Sequence, residues 1–265
     1  MHYAAFGRGP GSLVVLPGLN DGQRTVQGSG LLLSLIYRQF ARSHRVWVFS
    51  RRNQLEKDMT TRQMAADQGE AMSKLGLRQA HVLGVSQGGM IGQWLAIDYP
   101  EYVDKLVLAM TVARSSATLH QVIGGWIQLA LQERYGDLAV DQMEKTFTEN
   151  YLRRIRPFYW LLRRTGKPVS TERFLTQARS CLRHDAYGHL YRINSPTLII
   201  GGDTDKVIGS AEVQHELAHG IRNSHLQLYP GLGHGAFAET KDFNRTIVDF
   251  LERNSSGGPA DSSQH

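Results

Sequence analysis

Apolar residues follow two rhythms along this chain. Ser12-Leu13-Val14-Val15-Leu16 is a short apolar run closed by Pro17-Gly18, and it reads as a buried strand. Similar runs at 45–49, 80–84, 105–109, 196–201 and 226–229 predict further strands. Between them the spacing lengthens to a helical period. Helices are expected over 28–42, with Leu31, Leu32, Leu35 and Ile36 near one face, and over 60–75, stopped by Gly76. Further helices are expected over 87–98, ended before Pro100, over 211–219 and over 242–253. Strand and helix alternate up to about residue 110 and again after 195. That alternation implies an α/β fold, a mostly parallel twisted sheet with helices on both faces.

Residues 114–190 break the pattern. They hold short helical stretches with aromatic and basic residues and no strand signal. The expected organisation is a core formed by 1–113 and 191–253, a helical cap inserted at 114–190, and a Ser/Gly-rich tail at 254–265 expected to be disordered. No internal repeat is visible.

Composition narrows the class. At 265 residues, 41% apolar and 20% charged, the chain is that of a globular protein large enough for one α/β domain. The segment MHYAAFGRGPG has no apolar core of the secretory kind, and the longest apolar run, LLLSLIY at 31–37, is too short for a membrane span. Cys181 is the one cysteine, so no internal disulfide can form. A reducing, cytoplasmic setting is expected, with the thiol a small buried hydrophobe rather than a nucleophile. The net charge of +6 is concentrated. Residues 153–192 carry ten Lys and Arg against Glu172 and Asp185, while the rest of the chain is net −2. No recognition motif for nucleic acid accompanies this charge.

The chemistry starts at Gly84-Val85-Ser86-Gln87-Gly88, a G-x-S-x-G pattern between a predicted strand and a predicted helix. A serine there sits on a tight turn at a helix N-terminus, where partial positive charge gathers. A serine hydroxyl is a weak nucleophile and needs a base, which needs an orienting acid. Later strand ends supply both. Leu198-Ile199-Ile200-Gly201-Gly202-Asp203-Thr204-Asp205 ends in carboxylates, and Leu228-Tyr229-Pro230-Gly231-Leu232-Gly233-His234-Gly235 ends in a glycine loop with a histidine. Taken singly, His234 reads as a solvated loop histidine. In the order Ser, Asp, His at successive strand ends it reads as a base.

With these stretches the chain resembles the α/β-hydrolase fold family, of the small serine esterase and 3-oxoadipate enol-lactonase type. LVVLPG, LGVSQGGMIGQWLAIDYPE, INSPTLIIGGDTDKV and YPGLGHGAF carry the resemblance, which extends over nearly all of the chain except the middle and the tail. It implies Ser86 as nucleophile, His234 as base and then acid, and Asp205 as orienter. Asp205 is preferred to Asp203 because the family's G-x-x-D runs from Gly202 to Asp205. The resemblance implies an oxyanion hole from the backbone N–H groups of Leu19 and Gln87. Three departures stand out. Pro17-Gly18 replaces the usual His-Gly, Ser50-Arg51-Arg52-Asn53 replaces D-x-R-G, and the usual first strand has no counterpart in the pattern.

One competing motif is His215-Glu216-Leu217-Ala218-His219, an H-E-x-x-H match in which both histidines could bind zinc and Glu216 act as base. His225 stands at a third-ligand spacing, but Arg222 occupies the position of the glycine such sites need, and no methionine follows Met143. The alternative reading is a surface helix with Val213, Leu217 and Ile221 toward the core. In the insertion, Trp126, Phe158 and Trp160 are candidates to line an acyl pocket, and Arg153 and Arg156 to attract an anionic or carrier-linked substrate.

The expectation is a serine hydrolase of a small-molecule carboxylic ester or lactone that needs no cofactor and no metal. Thioester hydrolysis, C–C bond hydrolysis and perhydrolysis use the same three groups, and a ligand-binding receptor on this fold is the non-enzyme alternative.

Overall fold

A computed structural model describes residues 1–253. The predicted tail at 254–265 lies outside them. Seven strands form one sheet: β1 (Tyr3–Phe6), β2 (Gly11–Leu16), β3 (His44–Phe49), β4 (Ala80–Val85), β5 (Val103–Ala109), β6 (Thr197–Gly202) and β7 (Ser224–Tyr229). Their order is β1-β3-β2-β4-β5-β6-β7, with β1 antiparallel to β3 and every other pair parallel. β2, β4, β5 and β6 are almost wholly buried, which is why they read as continuous apolar runs rather than alternating ones.

In the first half lie α1 (Asn20–Gln23), α2 (Gly30–Ile36), α3 (Thr61–Lys74) and α4 (Gln87–Asp98). Between β5 and β6 come α5 (Ala117–Leu131), α6 (Tyr135–Thr146), α7 (Glu149–Ile155), α8 (Tyr159–Thr165) and α9 (Thr171–Leu182). The chain closes through α10 (Glu212–Gly220), α11 (Ala236–Glu239) and α12 (Asp242–Glu252). The start of α3 is fixed by a capping box, in which Thr60 and Gln63 satisfy each other's backbone N–H groups. No helix among the described residues is long and apolar enough to cross a membrane.

Three apolar clusters hold these layers. One face of the sheet packs on α3, α4 and α10 through residues such as Val14, Met64, Ile91 and Leu217. The other packs on α12 through Leu13, Val48, Phe243 and Ile247. A third joins α5 and α9 to the strand ends through Met90, Ile123, Trp126, Phe174 and Cys181.

Two expectations are corrected. A first strand does exist: Tyr3-Ala4-Ala5-Phe6 pairs along β3. It is a short, half-exposed edge strand whose two alanines give no apolar run to detect. The helix expected over 28–42 is only α2, followed by a single turn of 3-10 helix at Phe40–Arg42. Its face is also reversed. Leu31, Leu32, Leu35 and Ile36 are 80%, 60%, 59% and 54% exposed, while Leu33 and Tyr37 pack inward. Leaving such side chains in water forgoes roughly 1.5–3 kcal/mol each, so their exposure calls for a reason.

Candidate active site

Ser86 stands at the end of β4, in the middle of the sheet, and is the residue before α4. Its backbone holds φ +54° and ψ −118°, a conformation costly for any side chain but forced by the turn from strand to helix. The flanking glycines make that turn possible. A Cβ on Gly84 would lie 2.5 Å from the Gly88 carbonyl oxygen, and one on Gly88 would lie 1.8 Å from the Leu16 carbonyl oxygen. The turn is pinned by Ser86 N–H donating to Ala109 O at 2.8 Å and by Thr111 Oγ1 donating to Ser86 O at 2.8 Å.

The two remaining groups come from the ends of β6 and β7. Asp205 is buried, and its Oδ2 is 2.7 Å from His234 Nδ1. Its Oδ1 accepts from the N–H groups of Val207 at 2.7 Å and Ile208 at 3.1 Å. Asp203, the other candidate acid, is engaged elsewhere: its Oδ1 accepts from Gly231 N–H at 2.7 Å and so braces the turn before His234. The histidine loop is also tied to the insertion. Gly235 N–H donates to Thr146 O at 2.7 Å, and Glu239 accepts from Thr148 N–H at 3.1 Å and from the Thr148 hydroxyl.

Ser86 and His234 line the same cavity, of about 630 Å³. Among the described residues the Ser86 hydroxyl has no hydrogen-bond partner and the His234 ring bonds only through Nδ1. Such bonds commonly close only in the substrate complex. Beside them runs Pro17-Gly18-Leu19, where a Cβ on Gly18 would lie 3.3 Å from Ser86 Cβ. The N–H of Gln87, first residue of α4, has no acceptor within its helix, and Leu19 is the N-cap residue that precedes α1. Among the described residues neither N–H donates to a backbone acceptor, and Leu19 lines the same cavity as Ser86.

A buried polar network lies behind these donors, and no sequence pattern announced it. Arg51 is 1% exposed and donates through Nη2 to Pro17 O and to Gln87 Oε1, the latter at 3.1 Å. Gln87 Nε2 donates to Gln177 O at 2.8 Å and Ser180 Oγ at 3.0 Å on α9. Asp21, just after the Leu19 turn, accepts from Arg173 Nη2 at 2.6 Å, Arg51 N–H at 3.1 Å and Gln177 Nε2 at 3.2 Å. Burial pushes the Arg51 pKa down, against the raising effect of Asp21. The sequence holds only the pair Arg51-Arg52 one residue beyond an apolar strand, which reads as surface unless a buried acid is known to await it.

Other expected residues fall elsewhere. Trp126 lines the cavity and donates from its indole N–H to Asp141 at 2.7 Å. Phe158 and Trp160, 60% and 59% exposed, stand outside it. So do Arg153 and Arg156. Arg156 is held between Glu144 and Glu149, and Arg153 bonds Asn150. The basic segment looked unbalanced because its partners lie outside it: Arg163 pairs with Asp137, Arg173 with Asp21 and Arg183 with Asp58. Cys181 borders the cavity, but burial pushes its thiol up to about 12, so it stays protonated. In the zinc alternative, Glu216 is engaged by Arg114 at 2.6 Å and His215 and His219 are exposed. No group of three or more His, Cys, Asp or Glu among the described residues is arranged to hold a metal ion.

Comparison with known proteins agrees with this architecture. The sequence profile of the alpha/beta hydrolase fold matches residues 11–240. The chain is 28% identical over 194 residues to a 2-hydroxy-6-oxononadienedioate/2-hydroxy-6-oxononatrienedioate hydrolase of a Pseudomonas species, a match spanning 69% of this chain and 66% of that protein. It is 25% identical over 191 residues to 3-oxoadipate enol-lactonase 2 of Acinetobacter baylyi, spanning 72% and 70%. An alpha/beta hydrolase enzyme from a Medee basin deep-sea metagenome library superimposes with a TM-score of 0.86 at 20% identity, covering 98% of this chain and 96% of that one.

Proposed function

The chain belongs to the α/β-hydrolase fold family, and from that premise we propose that it is a serine hydrolase opening a carboxylic ester or lactone through an acyl-enzyme. Of the two sequence relatives above, one is named a hydrolase and the other an enol-lactonase. The observation that carries the finer reading is a convergence. A serine on a strained strand-to-helix turn shares one cavity with a histidine whose Nδ1 lies 2.7 Å from a buried carboxylate.

In this reading Ser86 Oγ attacks the carbonyl carbon while His234 Nε2 takes its proton. Asp205 keeps the imidazole in the Nδ1–H tautomer and stabilises the imidazolium that forms. The carbonyl oxygen becomes negative between the N–H groups of Leu19 and Gln87, where each donor contributes about 3 kcal/mol to the transition state. Collapse expels the alkoxide, which His234 protonates. Water then attacks the acyl-enzyme with His234 as base, which releases the acid and restores Ser86. These steps call on no cofactor. Helices α5 to α9 serve as the cap over this chemistry, and the single, buried cysteine suits a reducing cytoplasm.

A p-nitrophenyl ester should give a burst of nitrophenol that Ser86→Ala abolishes, and a fluorophosphonate should label Ser86. Labelling elsewhere, or turnover that survives Ser86→Ala, overturns the reading. C–C bond hydrolysis is the second reading, motivated by the likeness to the Pseudomonas hydrolase. A panel of esters, lactones and vinylogous diketones separates the two.

A further inference from the structure

Ser86 and His234 line a cavity whose apolar walls come from two separate clusters. One part belongs to the cluster under α5 and α9, with Met90, Leu119, Ile123 and Trp126 on its walls. The other runs between α2 and α12, walled by Val26, Leu33, Tyr37, Phe243 and Ile247 from the cluster on the opposite side. Leu32 and Ile36 wall this second arm, yet they are 60% and 54% exposed. The arm therefore opens to solvent across α2, a helix that buries no residue of its own. Phe237, 45% exposed, also lines the cavity.

Charge is scarce in the cavity. Arg24 is the one Lys or Arg among the described lining residues and is itself exposed, and Asp21 is neutralised by Arg173. A polar or charged acyl group in the second arm would surrender its hydration with few partners in return. A volume of about 630 Å³ is also more than an acetyl or butyryl group can fill.

We propose that this site takes carboxylic esters with a long, uncharged acyl chain, which lies between α2 and α12 and leaves the protein over Leu32 and Ile36. The proposal rests on the hydrolase reading of Ser86 and His234 and adds the class of acyl group. It gives α2 its reason. A helix with four large apolar residues in water is a poor element alone, but two of the four continue the wall of a cavity that starts at the nucleophile. That continuity favours a substrate chain over a docking protein, which would need the outer face of α2 and no connection to Ser86.

The test is kcat/KM for p-nitrophenyl acetate, butyrate, octanoate and dodecanoate, each below its aggregation limit. Each buried methylene can contribute up to roughly a fourfold gain, so the dodecanoyl-to-acetyl ratio should exceed about tenfold. Leu32→Ser with Ile36→Ser should collapse that ratio, while Leu31→Ser with Leu35→Ser, on the same helix but not lining the cavity, should keep it. A wild-type preference for acetate overturns the proposal, and so does an unchanged ratio in the Leu32/Ile36 variant. Equal losses in both double variants would make α2 a surface patch for aggregates or membranes, which also overturns it. Should no ester be cleaved at any length, the hydrolase reading fails, and calorimetry of dodecanoate with Ser86→Ala decides the arm. Binding weakened by the Leu32/Ile36 substitutions upholds it, and absence of binding ends it.

Discussion

Asp205 meets the His234 ring at 2.7 Å with one carboxylate oxygen while its other oxygen is fixed by the N–H groups of Val207 and Ile208. The carboxylate cannot turn away without abandoning two backbone bonds, so the histidine inherits a fixed direction from β6. Asp205→Asn keeps the shape but offers the ring a wrong donor. We expect kcat to fall by about 10⁴ with little change in KM, by analogy with other triads. Asp203→Asn touches only the Gly231 turn and should cost less than about tenfold. Steady-state kinetics of the two variants decides which aspartate orients the base.

Arg51 joins the two segments that carry the proposed oxyanion donors, since one guanidinium nitrogen donates to the Pro17 carbonyl and to the side-chain Oε1 of Gln87. In the proposed mechanism it would act by positioning those donors rather than by touching substrate. Arg51→Met should lower kcat by about 10- to 100-fold, less than the loss of a direct donor, with KM nearly unchanged. Arg51→Lys should recover part of that, because an ammonium supplies charge but not the planar fork. A rise in KM at constant kcat would assign Arg51 to binding instead.

Arg173 on α9 reaches across to Asp21 at 2.6 Å, to the Asp21 carbonyl at 3.2 Å and to the Arg51 carbonyl at 3.3 Å. Both members of the pair are buried. Arg173→Met strands the Asp21 carboxylate and should cost about 3–5 kcal/mol of unfolding free energy. Adding Asp21→Leu should return only part of that loss, because the stranded carboxylate is gone but the buried Arg51 guanidinium then loses the acid beside it. Urea denaturation of the single and double variants measures the difference.

The parts of this molecule that were legible in its sequence are those where a local pattern carries the physics. Leu13 to Leu16 read as a buried strand because both faces are covered, and Ser86 read as an elbow because only glycine fits at 84 and 88. Asp205 and His234 were readable because strand ends and glycine loops mark themselves. What stayed hidden depends on partners far along the chain. Arg51 and Arg173 look like solvated cations until the buried Asp21 is known to stand near both. The leucines of α2 look like core because periodicity marks an apolar face without saying what it faces. The cavity joins residues from both sides of the sheet and has no sequence signature at all.

The strain at Ser86 should be measurable without substrate. A side chain held at φ +54° and ψ −118° costs about 1–3 kcal/mol relative to glycine. Ser86→Gly and Ser86→Ala should both be inactive, with the glycine variant more stable by about 1 kcal/mol or more. Equal stabilities would mean that the turn relaxes once the hydroxyl is gone.

His184 closes the insertion onto α3, with its Nδ1 2.9 Å from Thr61 Oγ1. Burial pushes its pKa down to about 3, so the folded protein keeps the ring neutral where the unfolded chain, near 6.5, takes up a proton. The sign follows from which state binds more protons. Stability from this residue is fully present above about pH 6.5 and is lost as pH falls toward about 3. Between pH 7 and pH 5 the loss should be roughly 2 kcal/mol. A His184→Gln variant can still bond Thr61 but has no proton to gain. Its urea midpoint should start lower at pH 7 and fall less than that of the wild type at pH 5. Parallel curves for the two proteins would mean that the ring is protonated in the native state and that the contact with Thr61 does not depend on burial of a neutral imidazole.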